Sequence, residues 1–147
     1  MAEFAFNPIQ LVEPNQNIIL DTVIPCNKGY VFHRDQSGIL ILRGITNNCF
    51  ARYQVTFNGN IALPEDATVV APISVSLAID GEPVQTSRAI VTPAAVDEYF
   101  NVTSTAIITV PRGCCFTVAV ENTSAIVDGV APEINVQNAN MTVSRIA

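Results

Sequence analysis

The sequence predicts an all-β fold, a single-domain sandwich of about eight to ten antiparallel strands, on three observations. From Cys49 to Leu63 the chain reads CFARYQVTFNGNIAL, with Tyr53, Val55, Phe57, Gly59 and Ile61 on one parity and Arg52, Gln54, Thr56, Asn58 and Asn60 on the other. A period of two held that long marks a strand with one dry face and one wet face. No comparable helical stripe of apolar residues appears anywhere in the chain. Turn signals recur about every 8–12 residues between short apolar runs, the spacing of an all-β sandwich or barrel.

The 147 residues are enough for one domain with a real core. Hydrophobic residues make up 49% and charged residues only 14%, too few to solvate the whole surface of a monomer, which predicts that some surface is buried against other copies or other proteins. The net charge is −6, and the positive residues are Lys28 and six scattered arginines, so no basic patch offers itself to phosphate and nucleic acid is excluded as a partner. No apolar run approaches the roughly 18 residues of a membrane helix. The start of the chain lacks the charged and apolar regions of a secretory signal, so synthesis in a cytosol is expected.

In chain order, residues 1–14 read as an N-terminal arm and residues 15–147 as the sandwich domain. Phe4, Phe6, Ile9, Leu11 and Val12 give the arm an apolar character, while Pro8 and Pro14 interrupt any continuous ladder. It is either an edge strand folded onto its own domain or an attachment segment docked on a partner, and the second reading makes those five residues partner-binding. Asn17–Ile24 is a strand, ended by Pro25, Asn27 and Gly29. Ile39–Leu42, ILIL, is apolar on both faces, which places Ile39 and Ile41 in the core or under a neighbouring subunit. Tyr53, Val55 and Phe57 belong to the same core or subunit interface. Ile73, Val75, Leu77 and Ile79 alternate with serines, and Asp80-Gly81 turns the chain into a returning strand from Glu82 to Ile90. A single helical turn is expected near Pro93-Ala94-Ala95. Two strand pieces follow, Tyr99–Thr103 and Thr105–Val110, then the Pro111-Arg112-Gly113 turn and a strand with Phe116, Val118 and Val120 together. In the last strand Ile134 and Val136 are even whereas Ala139, Met141 and Val143 are odd, so a bulge near Asn138 is required.

No arrangement supports catalysis, a cofactor or a metal. His33-Arg34-Asp35 beside Ser37-Gly38 reads as a solvated turn. Glu65, Asp66, Asp80 and Glu82 lack the dense spacing of a calcium loop, and no serine sits in a nucleophile-elbow context. The Asn101, Asn122 and Asn140 sequons read as ordinary strand and turn residues in a chain without a secretory signal. Cys26, Cys49, Cys114 and Cys115 contain no CxxC pair, which argues against zinc. At least one of Cys114 and Cys115, adjacent and therefore on opposite faces of a strand, is expected to be a small buried hydrophobe. A Cys26–Cys49 disulfide is left open, and the fold is not expected to depend on one.

The pieces ARYQVTFNGNIAL, SVSLAIDGEPVQTS, ITVPRGCCFTVAVENTS and NVQNANMTVSRIA, in that order, resemble the C1q/TNF-like jelly roll over roughly residues 15–147. The resemblance is to its bacterial and phage branch, such as the C-terminal domain of the exosporium collagen-like glycoprotein and virion-attached phage proteins. It implies a non-enzymatic homotrimer with aromatic and aliphatic side chains around the threefold axis. It further implies a phage capsid decoration or head-fibre accessory, made in the host bacterial cytoplasm, anchored by its arm and partnered by capsid or other virion proteins. The alternative it implies is a glycan- or receptor-binding module on a phage or bacterial surface.

Overall fold

The computed structural model describes residues 2–24, 29–34 and 36–147. Among them the chain forms β1 (Ala2–Phe6), β2 (Gln10–Val12), β3 (Thr22–Ile24), β4 (Val31–His33), β5 (Leu40–Arg43) and β6 (Phe50–Ala62), followed by β7 (Ile73–Ile79), β8 (Glu82–Pro83), β9 (Ala89–Val91), β10 (Phe100–Pro111), β11 (Cys115–Asn122) and β12 (Ile134–Arg145). One sheet runs β10-β6-β12-β1-β3, with β2 also on β12. The other runs β4-β5-β11-β7-β8, with β9 also on β7. All pairings are antiparallel. The result is the jelly-roll sandwich that the strand spacing predicts.

The period-two stretch becomes β6, the centre of the first sheet, paired with β10 along its length and with β12 on its other side. Its dry face points inward: Tyr53, Val55, Phe57 and Ile61 are fully buried. They meet Leu40 and Leu42 of β5, Val75 and Leu77 of β7, and Val118 and Val120 of β11 across the sandwich. Aromatic and branched side chains on two facing pleated surfaces fill the core by alternation alone. Ile79 and Phe116, expected inside, are partly buried and pack against this core from its margin. At the end where β6 begins, the Tyr53 hydroxyl donates to the Arg43 carbonyl at 2.5 Å, and the Arg145 guanidinium lies 4.3 Å above the Tyr30 ring. Burial raises the Tyr53 phenol above its ordinary pKa, an effect opposed by the nearby Arg145 charge.

The N-terminal arm is part of this sandwich, in keeping with the first of its two readings, an edge strand folded onto its own domain. Pro8 breaks the ladder only between Phe6 and Gln10. The arm therefore forms two short strands, and both pair with β12. Phe4 and Val12 are core residues, Phe6 is half-buried, and only Ile9 and Leu11 stay exposed. The boundary between residues 14 and 15 divides no structural unit. Asn15 and Ile18 hydrogen-bond to the edge of β11 in the second sheet before the chain crosses to β3 in the first.

Further expectations are sharpened or corrected. The β12 parity shift is a bulge: residues 138 and 139 stand opposite Gly59 alone, with Asn138 at φ 54°. Asp80-Gly81 is a two-residue turn with φ 51° and 84°, the doubly positive geometry that suits the twist of the flanking strands. The returning strand is split into β8 and β9 by a 3-10 turn at Gln85–Ser87, and residues 93–95 form no helix. The two pieces around Ser104 are one continuous strand, β10. In β5 it is Leu40 and Leu42 that enter the core. Ile39 and Ile41 point to the outer face and are half-buried, so the strand is not doubly buried within one chain.

Candidate functional site

Two regions have the form of contact surfaces: the outer face of the first sheet, and a cleft at one end of the sandwich. The outer face follows from the wet parity of β6 and its neighbours. Register places Asn140, Asn58 and Thr103 in one cross-strand row and Thr142, Thr56 and Thr105 in the next, with Gln137, Asn60 and Asn101 in a row on the far side of the bulge. The side chains bond to one another: Thr56 to Thr105 at 3.0 Å, Asn101 Nδ2 donating to Asn60 Oδ1 at 3.2 Å, and Thr103 Oγ1 donating to Asn58 Oδ1 at 3.3 Å. Asn140 Nδ2 donates to Glu3 on β1. The face is thus a flat field of amides and hydroxyls, with Glu3 at one side and Arg52 at one end as charged members. An exposed apolar residue borders it: Ile107 on β10 is 63% exposed.

The cleft lies where β6, β11, β7 and β12 meet their loops. The 63–72 loop supplies Asp66, Ala67 and Val69, and the 123–133 loop supplies Val130, Ala131 and Glu133, around a cavity of about 190 Å³. Val127 and Val130 bond each other's backbones at 2.9 and 3.0 Å across Asp128-Gly129, both with positive φ, so this loop carries its own two-residue hairpin. Asn122 fixes the loop to the sandwich. Its buried side chain donates to the carbonyls of Val12 and Pro132 at 3.1 and 3.0 Å, and accepts from the Ser124 amide and hydroxyl at 3.1 and 2.7 Å. A second opening adjoins the cavity, lined by Leu11, Pro64, Glu65, Asp66 and Asn135.

The other motifs do not converge. Glu65 and Asp66 lie at the cleft end, whereas Asp80 and Glu82 lie on the β7–β8 turn at the opposite end, where Asp80 accepts hydrogen bonds from the Thr117 amide and hydroxyl. Among the described residues no group of three His, Cys, Asp or Glu is placed to hold a metal ion. His33 is stacked on Phe4 with ring centroids 5.2 Å apart, and its Nε2 bonds the Ser37 carbonyl at 2.8 Å, so this histidine braces the turn. Asp35 lies outside the described residues. Of the three sequon asparagines, Asn122 is consumed by its four internal bonds. Cys49, Cys114 and Cys115 are all exposed free thiols, which corrects the expectation that one of the adjacent pair is buried. Cys114 lies in the β10–β11 turn and Cys115 opens β11 opposite Arg43 at the end of β5. Cys26 lies outside the described residues. No helix among the described residues is long and apolar enough to cross a membrane.

No protein-family model and no curated protein matches the chain. Solved structures do resemble it. The Eiger TNF of S. frugiperda superposes with a TM-score of 0.68 at 13% identity, over 99% of this chain and 91% of that one. The globular domain of the zebrafish complement 1qA protein superposes at 0.61 with 11% identity, over 99% and 96%. The C-terminal domain of EclA, a sugar-binding protein, superposes more loosely at 0.45 with 16% identity, over 94% and 79%. The fold is therefore a C1q/TNF-like jelly roll, and at these identities the likeness shows the fold alone.

Proposed function

We propose that the chain is a non-enzymatic structural head domain that works as a homotrimer on a phage particle, as a capsid decoration or head-fibre accessory. The observation that carries this reading is the outer face of the first sheet. It is broad, nearly uncharged and bordered by Ile107, a surface suited to cover by other copies rather than to standing alone in water. The low charged fraction of the whole chain agrees with it. Because the arm is folded in cis, attachment to capsid or other virion proteins is assigned to surface outside it. Synthesis takes place in the host bacterial cytoplasm and the mature location is the virion.

Light scattering at micromolar concentration tests the assembly. A mass near three times 15.8 kDa is expected, and a clean monomer overturns the reading. Mass spectrometry of purified particles tests the location: the chain is expected at stoichiometric abundance, and its absence removes the virion role. The loop-end cleft favours a second reading, a glycan- or receptor-binding module on a phage or bacterial surface. A glycan array with a saturable hit, lost on substituting Asp66 or Glu133, selects it.

A further inference from the structure

The cleft between the 63–72 and 123–133 loops has a chemistry of its own. Two carboxylates, Asp66 and Glu133, reach its lining, and no Lys, Arg or His does. Neither carboxylate is engaged by a hydrogen bond or an ion pair from another described residue. The opposite character comes from Ala67, Val69, Val130 and Ala131, which give the cavity short apolar walls. No aromatic side chain is present to stack on a sugar ring. Two uncompensated negative groups in the same lining as short apolar side chains complement a cation carried on a short aliphatic stem.

We propose that this cleft is a binding site for an alkylammonium group, and that its occupant is the lysine side chain of a partner polypeptide. The four-carbon stem packs along Val69 and Val130, and the ammonium sits between Asp66 and Glu133. The adjoining opening at Leu11, Glu65 and Asn135 argues for a polypeptide rather than a free amine. It continues the site outward with a second acid, an amide and an apolar side chain that is 55% exposed, a surface that backbone and neighbouring residues beyond the lysine would cover. The assignment does not depend on the particle reading above.

The full-length chain, labelled with ¹⁵N, tests it by titration with Nα-acetyl-lysine methylamide, its neutral norleucine analogue and 1,4-diaminobutane. The lysine probe is expected to move the amides of Ala67, Thr68, Val130 and Ala131, saturating in the millimolar range. Asp66→Asn and Glu133→Gln are each expected to weaken it about fivefold, an effect of the size measured for exposed ion pairs, with unchanged melting temperature. Raising the salt concentration should weaken it further. Absence of shifts, or equal binding of the norleucine analogue, overturns the site. Tighter binding of diaminobutane than of the lysine probe overturns the polypeptide as its occupant. Retention of full affinity in both variants overturns the role of the two carboxylates.

Discussion

The two outer faces of the sandwich are built to opposite plans. On the first sheet, Thr56, Asn58 and Thr105 bond to neighbours in the same layer, and among the described residues nothing lies over them. On the second, Ser74, Ser76 and Ala78 also point away from the core, yet each is about 1% exposed. Their neighbours in the same sheet shield them, with Arg88 reaching across Ser74 to the Thr123 carbonyl. Thr123 bonds to the hydroxyls of Ser74 and Ser76 at 3.0 and 3.2 Å, the Ser124 hydroxyl accepts from the Ser74 amide at 3.0 Å, and Arg88 Nε donates to Ser74 at 3.0 Å. Small side chains with one hydroxyl each let their neighbours lie close and leave no buried polar atom unpaired. The contrast separates a face whose small side chains are shielded by their own neighbours from a face that stays open to solvent.

The sharpest way to break that contrast is to reach beneath the open face. Phe57→Ala removes a fully buried ring and should cost about 3–5 kcal/mol in denaturant unfolding, whereas its exposed neighbours on β6 tolerate change. Next in size is Asn122→Ala, which strips the anchor of the 123–133 loop. Losing four bonds and leaving two carbonyls unpaired should cost about 2–3 kcal/mol and open the Ser74 region to hydrogen exchange. Arg88→Ala removes two bonds on the same face, to Ser74 and to the Thr123 carbonyl, and is expected to cost about 1 kcal/mol in the same measurement.

Glu121 gives the prediction of opposite sign. It lies on the shielded face, 8% exposed, and burial, reinforced by the charge of Glu82, raises its carboxyl pKa above the ordinary value. The folded state therefore prefers the protonated acid. That preference contributes fully below the unfolded value of 4.5 and is lost as pH rises through the higher folded value. At pH 7 the ion is a burden, so Glu121→Gln should raise the melting temperature by about 2–4 °C there. No gain is expected near pH 4, and a pH-independent gain would mean that packing rather than charge is responsible. The smallest effect sharpens the comparison most. Thr56→Val on the open face should change the stability of a single chain by less than about 0.5 kcal/mol. If copies cover that face, the change instead depends on protein concentration, which a dilution series of melting curves detects.

Where alternation governs, the sequence was legible. Tyr53, Val55 and Phe57 point inward because a pleated strand admits no other choice, and the change of parity between Val136 and Ala139 locates the bulge at Asn138. Legibility fails where the environment of the second side of a strand decides. Ile39 and Ile41 are as apolar as Leu40 and Leu42, and no local pattern states which pair faces the other sheet. It fails again where distant segments meet. The cleft joins residues 63–72 to residues 123–133, neither of which has a period. The one local signal is Asp128-Gly129, the same dipeptide that marks the turn at residues 80 and 81. The arm stayed undecided because its two prolines argue against one continuous strand but are silent about two short ones. Asn122 could be recognised as a polar residue on the inward parity of β11, the position where an asparagine must find internal partners or not fold at all.

The bulge at Asn138 behaves like a frameshift in the direction of side chains. Upstream of it β12 is spelled in one frame, downstream in the other, and both frames place apolar residues inward. Deleting Asn138 would remove the extra residue, set Ala139 alone opposite Gly59 and join the two halves in one frame, with Met141 and Val143 still inward and Asn140 and Thr142 still outward. Substitutions along β12 change one contact at a time, whereas one residue inserted into its regular downstream half turns the side chains beyond it over. Lineages of this chain should therefore tolerate the loss of the residue at position 138 and resist insertions between Asn140 and Arg145.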